Sequence, residues 1–313
     1  MNKEKDFINI INKILNKDSD KDLLVGIGDD AAVISKSSNE NTVICSDSIV
    51  EGVHFNTKYF SFEDIGWKSI SINISDLASM GATPNYYTVS IGVPDSLKVE
   101  NFTKIIDGIK NCCESFGGKV VGGDIVSSDK LFISVTAIGK LISNNYMTRG
   151  SAKVGDKVAV TGNLGDSLGA LNLLKKNKNN KNLSVKHFAP EPKLNQSREL
   201  VNLGIKCCTD ISDGLHNDLL NICNESKVSM IIDVEHIPAS NELIKEFPEE
   251  YKDISINGGE DYELLFTFDE SKIKLPFDYY VIGEICKKSK YEIFYKNKKG
   301  EYVPNLNPWS HFE

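Results

Sequence analysis

The 313-residue chain has seven cysteines but no C-x-x-C pair, and two couples, Cys112-Cys113 and Cys207-Cys208, are direct neighbours. Such spacing points to neither a disulfide framework nor a zinc site, and it fits a reducing compartment, the cytoplasm. No apolar run approaches the ~20 residues of a membrane span. Near the N-terminus, Phe7, Ile8, Ile11, Ile14 and Leu15 recur at helical spacing among charges, which reads as an amphipathic helix and not as a signal peptide. A basic stripe is missing too: the formal charge is −8, so no nucleic-acid partner and no membrane is expected, and small ligands are. Familiar nucleotide motifs fail. Gly150 to Gly155 has the outer spacing of a Walker A loop but continues Asp156-Lys157 and follows no strand. Gly162, Gly165 and Gly169 follow a strand and open a helix, yet miss the dinucleotide spacing; they leave only a weak indication of anion binding at a helix N-terminus.

A hydrophobic content of 40% over this length is enough for a sizeable core, and two domains are expected over one. Phe62–Met80 reads as a helix opened by a Ser61/Asp64 capping box and ended at Gly81, with Ile65, Ile70, Ile74, Leu77 and Met80 roughly on one side. Tyr87, Val89, Ile91 and Val93 alternate as a strand, Phe102–Phe116 repeats with helical spacing, and Leu131 to Ala137 alternate again. The polar segment Ser143–Lys157 separates this half from a second series of helices and strands, among them Met230–Val234, Leu264–Phe268 and Tyr279–Ile282. Domains over 1–148 and 149–313 are expected, in an α+β class, since short parallel crossovers are not evident. The Lys/Asn-rich run at 175–182 reads as a solvated loop.

Six junctions share one format, in which an apolar run gives way to aspartate or glutamate beside glycine or serine. They contain Asp29-Asp30, Asp47, Asp76, Asp124, Asp210 with Asp213, and Glu260-Asp261. Any one of them reads equally as a helix cap or a turn. Six together point to a shared cation, because like charges ~4 Å apart repel by roughly 1 kcal/mol in water and roughly 4 at an effective dielectric near 20. The companions are Ser46, Ser48 and Ser212, while His and Cys lack ligand spacing, so hard oxygen donors imply Mg²⁺ or Ca²⁺. No EF-hand loop occurs, which favours Mg²⁺ shared with phosphate. Gly122-Gly123-Asp124, directly after Val120-Val121, is either a phosphate cradle or a hairpin turn. His54 stands beside the Asp47 junction as a substrate contact or a structural residue; Trp309 docks a tail or stacks on a ring. Asp218, a turn beyond Asp213, reads as a solvated helix residue.

The motifs GIGDDAAV, SDSIVEGVHF, NISDLASMGATP, GGDIVSS, the arginine of TRG, DISDGL and GGEDYELLF, in this order, resemble the thiamine-monophosphate kinase family. That family belongs to the aminoimidazole ribonucleotide synthetase-like, or PurM-like, superfamily. The resemblance implies a two-domain α+β fold whose N-terminal domains pair between two subunits into a β-barrel. It also implies transfer of the γ-phosphoryl group of ATP, as co-substrate, to thiamine monophosphate. Position by position it implies Mg²⁺ ligands at Asp30, Cys45, Ser46, Asp47, Asp76, Asp124, Asp210 and Asp213, several ions in all. Cys45 stands where threonine or serine is usual. Nucleotide contacts fall on Gly123, Asp124, Arg149 and Ser212, and substrate contacts on His54, Glu260 and Trp309, with Glu263 an alternative to Glu260. The catalytic set is Asp47, Asp124, Asp213 and Arg149. Two readings stay open beside it: another PurM-like ATP-dependent synthetase or ligase, and a non-enzymatic divalent-metal-binding protein.

Overall fold

The computed structural model describes residues 22–26, 29–35, 41–143 and 145–307. The expected N-terminal helix, and Trp309 with His311 and Phe312, lie outside the described residues. The first half forms a six-stranded sheet in the order β1-β2-β3-β6-β4-β5. Its strands are β1 Leu23–Val25, β2 Ala32–Ile34, β3 Thr42–Val50, β4 Ala82–Val93, β5 Lys119–Ser127 and β6 Phe132–Leu141. All pairings are antiparallel except β4 with β5.

One face of this sheet carries helix α1 (Phe62–Ser79), against which α2 (Val99–Phe116) packs. The expected capping box is present: Ser61 Oγ accepts the Asp64 N–H at 3.0 Å and the Asp64 carboxylate accepts the Ser61 N–H at 3.3 Å. Gly81, at φ +80°, follows the last turn, where left-handed backbone suits glycine. The expected one-sided apolar stripe is too narrow a description. Buried residues surround α1, because the sheet, α2 and the second half of the chain all press on it. Small residues permit this: a Cβ on Gly66 would stand 2.0 Å from the Ile105 carbonyl, and one on Gly108 as close to that of Glu63. Ser69 and Ser79 return their hydroxyls to carbonyls three residues back.

The second half forms a mixed seven-stranded sheet in the order β13-β12-β9-β11-β7-β10-β8. These are β7 Lys157–Val160, β8 Cys207–Asp210, β9 Val228–Asp233, β10 Leu264–Phe268, β11 Tyr280–Lys287, β12 Ile293–Asn297 and β13 Gly300–Glu301. Its helices are α3 Asp166–Lys175, α4 Lys181–Phe188, α5 Leu194–Asn202, α6 Leu215–Ser226, α7 Asn241–Glu246 and α8 Tyr251–Asn257. The Lys/Asn-rich run is not loop throughout. Asn180 caps α4 by accepting the Asn182 N–H, and Asn179 accepts the Ser184 hydroxyl, so the run's end starts a helix.

Separate apolar cores fill the two halves, and Tyr262 of the second half joins the core of the first. Further ties cross between them: Trp67 Nε1 donates to the Pro190 carbonyl at 3.1 Å, and Ser197 Oγ to that of Ala78 at 2.5 Å. The carboxylates Asp30, Asp76 and Asp210 gather along this seam. Among the described residues no helix is long and apolar enough to cross a membrane.

Candidate nucleotide and metal site

Strand alternation turns Cys45 and Asp47 of β3 toward α1. There Asn73 organises them: its Oδ1 accepts the Asp47 N–H at 3.1 Å and its carbonyl the Cys45 thiol at 3.4 Å. One helical turn on, Asp76 meets Asp30 and, from the end of β8, Asp210, with carboxylate oxygens of all three within 4.8 Å of one another. Ser75 Oγ crosses the seam to donate to Asp210 Oδ2 at 2.6 Å. Arg149 is the cation among these acids. Its Nη2 donates to Asp30 Oδ1, its Nε to Thr209 Oγ1 at 3.2 Å and its backbone N–H to Asp29 Oδ2 at 3.1 Å.

This crowding reshapes proton affinities. Burial first, and then Asp30, push Asp210 up to about 8 and Asp29 up to about 6. Burial, then Asp47 and Asp210, raise Asp76 well above the carboxylate range. Burial works against the charge of Arg149, but Asp30, Asp218, Asp29 and Asp210 outweigh it and raise its pKa. Among the described residues, two buried oxygens in the group, Asp30 Oδ2 and Asp210 Oδ1, have no hydrogen-bond partner. Buried polar atoms are nearly always satisfied, so bare carboxylate oxygens facing one another fit a hard divalent cation such as Mg²⁺.

Past β8 the chain turns through Ser212 and Asp213 into α6. The loop Gly258–Glu263 packs on this turn backbone to backbone: a Cβ on Gly259 would stand 2.4 Å from the Ser212 carbonyl. The same carbonyl accepts the Glu260 N–H at 2.8 Å. Asp218 departs from expectation. It is fully buried, both its oxygens lack partners among the described residues, and burial, then Asp213, raise its pKa well above normal, so it belongs to the acid cluster and not to solvent.

Glu260 adopts left-handed backbone, φ +63°, and reaches Lys68 of α1, whose wholly buried ammonium lies 2.8 Å from its Oε1. His187 Nδ1 stands 3.4 Å from Glu260 Oε2 and 2.9 Å from Ser167 Oγ. Burial, then Lys68, lower His187 to about 3, so the ring is neutral. Burial opposes ionisation of Glu260, but Lys68 and His187, with a smaller contribution from His54, hold its pKa below normal. His54 is pinned by its Nδ1, which accepts the Val50 N–H at 3.0 Å. Glu263 faces inward, taking the Thr161 hydroxyl at 2.6 Å and Lys193 at 3.0 Å, and so is less available to a ligand than Glu260 with its 26% exposed side chain. Asp261 accepts the N–H groups of Gly165 and Ser167 at the start of α3. The place expected for an anion at that helix N-terminus is therefore taken by the protein's own Asp261 carboxyl, whose pKa burial raises well above normal.

Three expected residues sit apart. Ser46 points to the far face of the sheet, its Oγ donating to the Val135 carbonyl at 3.0 Å. Asp124 shares a cross-strand row with Ser90, Ser134 and Ser48, again on the far face, and Gly123 precedes it on β5. Three strand spacings put β5 about 14 Å from β3. Lys68, absent from the expected set, was marked in the sequence as the one charge between Asp64 and Asp76.

The two halves match family models described as AIR synthase related protein, N-terminal domain, over residues 28–141, and its C-terminal domain, over 153–296. That defines the class, a two-domain α+β protein of AIR synthase-related type. Thiamine-monophosphate kinase of Bacillus subtilis is 33% identical over 307 residues, covering 92% of this chain and 94% of its own. The enzyme of that name from Buchnera aphidicola of Schizaphis graminum is 39% identical over 264 residues, 82% of this chain and 80% of its own. A structure described as AaThiL complexed with AMPPCP and TMP superposes with a TM-score of 0.88 at 31% identity, covering 99% of this chain and 97% of that one. The chain belongs to the thiamine-monophosphate kinase family.

Proposed function

We propose that this protein transfers the γ-phosphoryl group of ATP to thiamine monophosphate, giving thiamine diphosphate. The observation that carries the reading is the convergence of Asp30, Asp76 and Asp210 around one half-buried arginine, with a separate ionised carboxylate, Glu260, paired to Lys68 farther along α1. Both reactants are anionic at the reacting ends, and Mg²⁺ ions held by Asp30, Asp47, Asp76, Asp210 and Asp213 would neutralise their phosphates and hold them in line. Arg149 stabilises charge on the transferring group. An acceptor phosphate with a second pKa near 6 is already largely ionised at neutral pH, so no residue is assigned as general base.

At the other end, Glu260 is the counter-charge for the cationic thiazolium ring, with His54 beside it. Lys68 and Asp76, eight residues apart on α1, separate ring and phosphate ends by about 12 Å along the helix axis. Trp309 is assigned to stack on the thiamine. Cys45 would contribute a weaker donor next to Asp47, Ser46 only main-chain groups, and Ser212 a nucleotide contact.

The protein acts as a homodimer in this proposal, its N-terminal domains paired into a barrel along β5, and the division at 148/149 is part of it. Support comes from β5 itself, an edge strand whose nine residues are all exposed, Ile125 to 64% and Val121 to 56%. Beside it runs a groove of about 940 Å³ lined by Ile91, Phe102, Ile106, Ile109, Val120 and Ile125. A long apolar edge left bare invites pairing. Gly123 and Asp124 would then act at the nucleotide from the paired edge. Incubation with Mg²⁺, ATP and either thiamine or thiamine monophosphate tests the reaction. Diphosphate formed only from the monophosphate is expected, and no diphosphate from either would refute it.

A further inference from the structure

Five buried side-chain polar atoms lack a hydrogen-bond partner among the described residues, and four of them belong to one place: Asp30 Oδ2, Asp210 Oδ1 and both oxygens of Asp218. The fifth, Lys68 Nζ, has its ion pair with Glu260. Asp218 lies in the first turn of α6, directly after the turn bearing Asp210, Ser212 and Asp213. Leu215, Leu219 and Ile222 flank it at helical spacing, so a carboxylate fills a position on the stripe that the core would give to leucine. Arg149, the nearby cation, bonds through its side chain to Asp30 and Thr209.

A buried carboxylate with two bare acceptors needs a donor. Asp218 stands outside the group of Asp30, Asp76 and Asp210, whose oxygens come within 4.8 Å of one another, so direct ligation of the same ion is not its geometry. Mg²⁺ dehydrates reluctantly and keeps several waters, each a strong donor. We propose that Asp218 is an outer-shell residue of the cation site, its two oxygens accepting hydrogen bonds from the waters of a divalent ion held by the Asp30, Asp76 and Asp210 group. The inference rests on the metal reading above and adds to it a positioning residue that fixes the hydrated side of the ion.

The test is binding of Mn²⁺ alone, without nucleotide, followed by electron paramagnetic resonance of the free ion in parent, Asp218→Asn and Asp218→Ser. Losing an outer-shell partner should weaken at least one Mn²⁺ site by about 10- to 100-fold. The metal-free melting temperature of Asp218→Asn should equal or exceed that of the parent. Parental affinity and stoichiometry in both variants would overturn the role of Asp218 while leaving the kinase reading intact. Failure of both variants to fold without metal would also overturn it, making Asp218 a structural residue. A parent that binds no Mn²⁺ would instead remove the metal reading on which the inference stands.

Discussion

Toward one end of α1, Lys68 and Glu260 balance their charges beside the neutral ring of His187. Two helical turns away, Asp76 faces Asp30 and Asp210 across oxygens that no described residue satisfies. Both clusters are buried and both join the two halves, yet they differ in completeness. The first is a finished ion pair that can wait for a ligand without strain. The second is repulsive as it stands, and with the cation proposed for it the requirements of stability and of function would oppose each other there.

Removing an acid from the open cluster should have the largest effect. Asp47→Asn is expected to lower product formation at least about 100-fold. Its metal-free melting temperature should not fall, and the rise produced by Mg²⁺ with ATP should shrink. Equal melting shifts in variant and parent would remove Asp47 from the cation site. In the balanced cluster the stability effect has the opposite sign. Lys68→Met strands Glu260 and should cost about 3 kcal/mol, and raise KM for thiamine monophosphate more than it lowers kcat. Adding Glu260→Gln should recover the stability but not the KM; a single Lys68→Met with parental melting would mean that the pair carries no weight.

Acidity should separate the two regions next. Asp210 goes from 3.8 to about 8 on folding and Asp29 to about 6, so the folded state holds extra protons between these limits. Without metal, stability from this cluster therefore falls as pH rises from about 4 to 8. His187 drops from 6.5 to about 3, so its contribution is present above pH 6.5 and fades as pH falls toward 3. Melting curves across pH, with and without Mg²⁺, read both slopes. Metal should flatten the upper one alone, and an upper slope untouched by both Mg²⁺ and Asp210→Asn would contradict the assignment. The smallest effect belongs to Ser46→Ala on the far face, within ~0.5 kcal/mol, with an unchanged Mg²⁺ response. A lost response would bring Ser46 into the cation shell.

Much of this was legible locally. The Ser61/Asp64 box, the alternation of β4 and β6, and Leu264–Phe268 were read correctly because each depends on near neighbours and on a period of two or 3.6 residues. The acid junctions, three of whose aspartates the fold brings together, were visible for the same reason. Hidden were the features made by the seam. The burial of Asp218 and the pairing of Lys68 with Glu260, 192 positions away by their numbers, arise only when the second half docks on α1. The Gly162–Gly169 series misled because its acceptor, the Asp261 carboxyl, comes from a distant loop.

The seam holds Ser75 against Asp210 and Lys68 against Glu260, both on the one rigid helix that Gly66 seats tightly on α2. A rotation of one domain against the other would have to stretch both contacts at once. In the binding mode proposed above, such a rotation would loosen the grip on ring and phosphate together, so each end of a bound molecule that spans them would favour contact at the other. The two halves of the proposed substrate would then be coupled mechanically through a single helix.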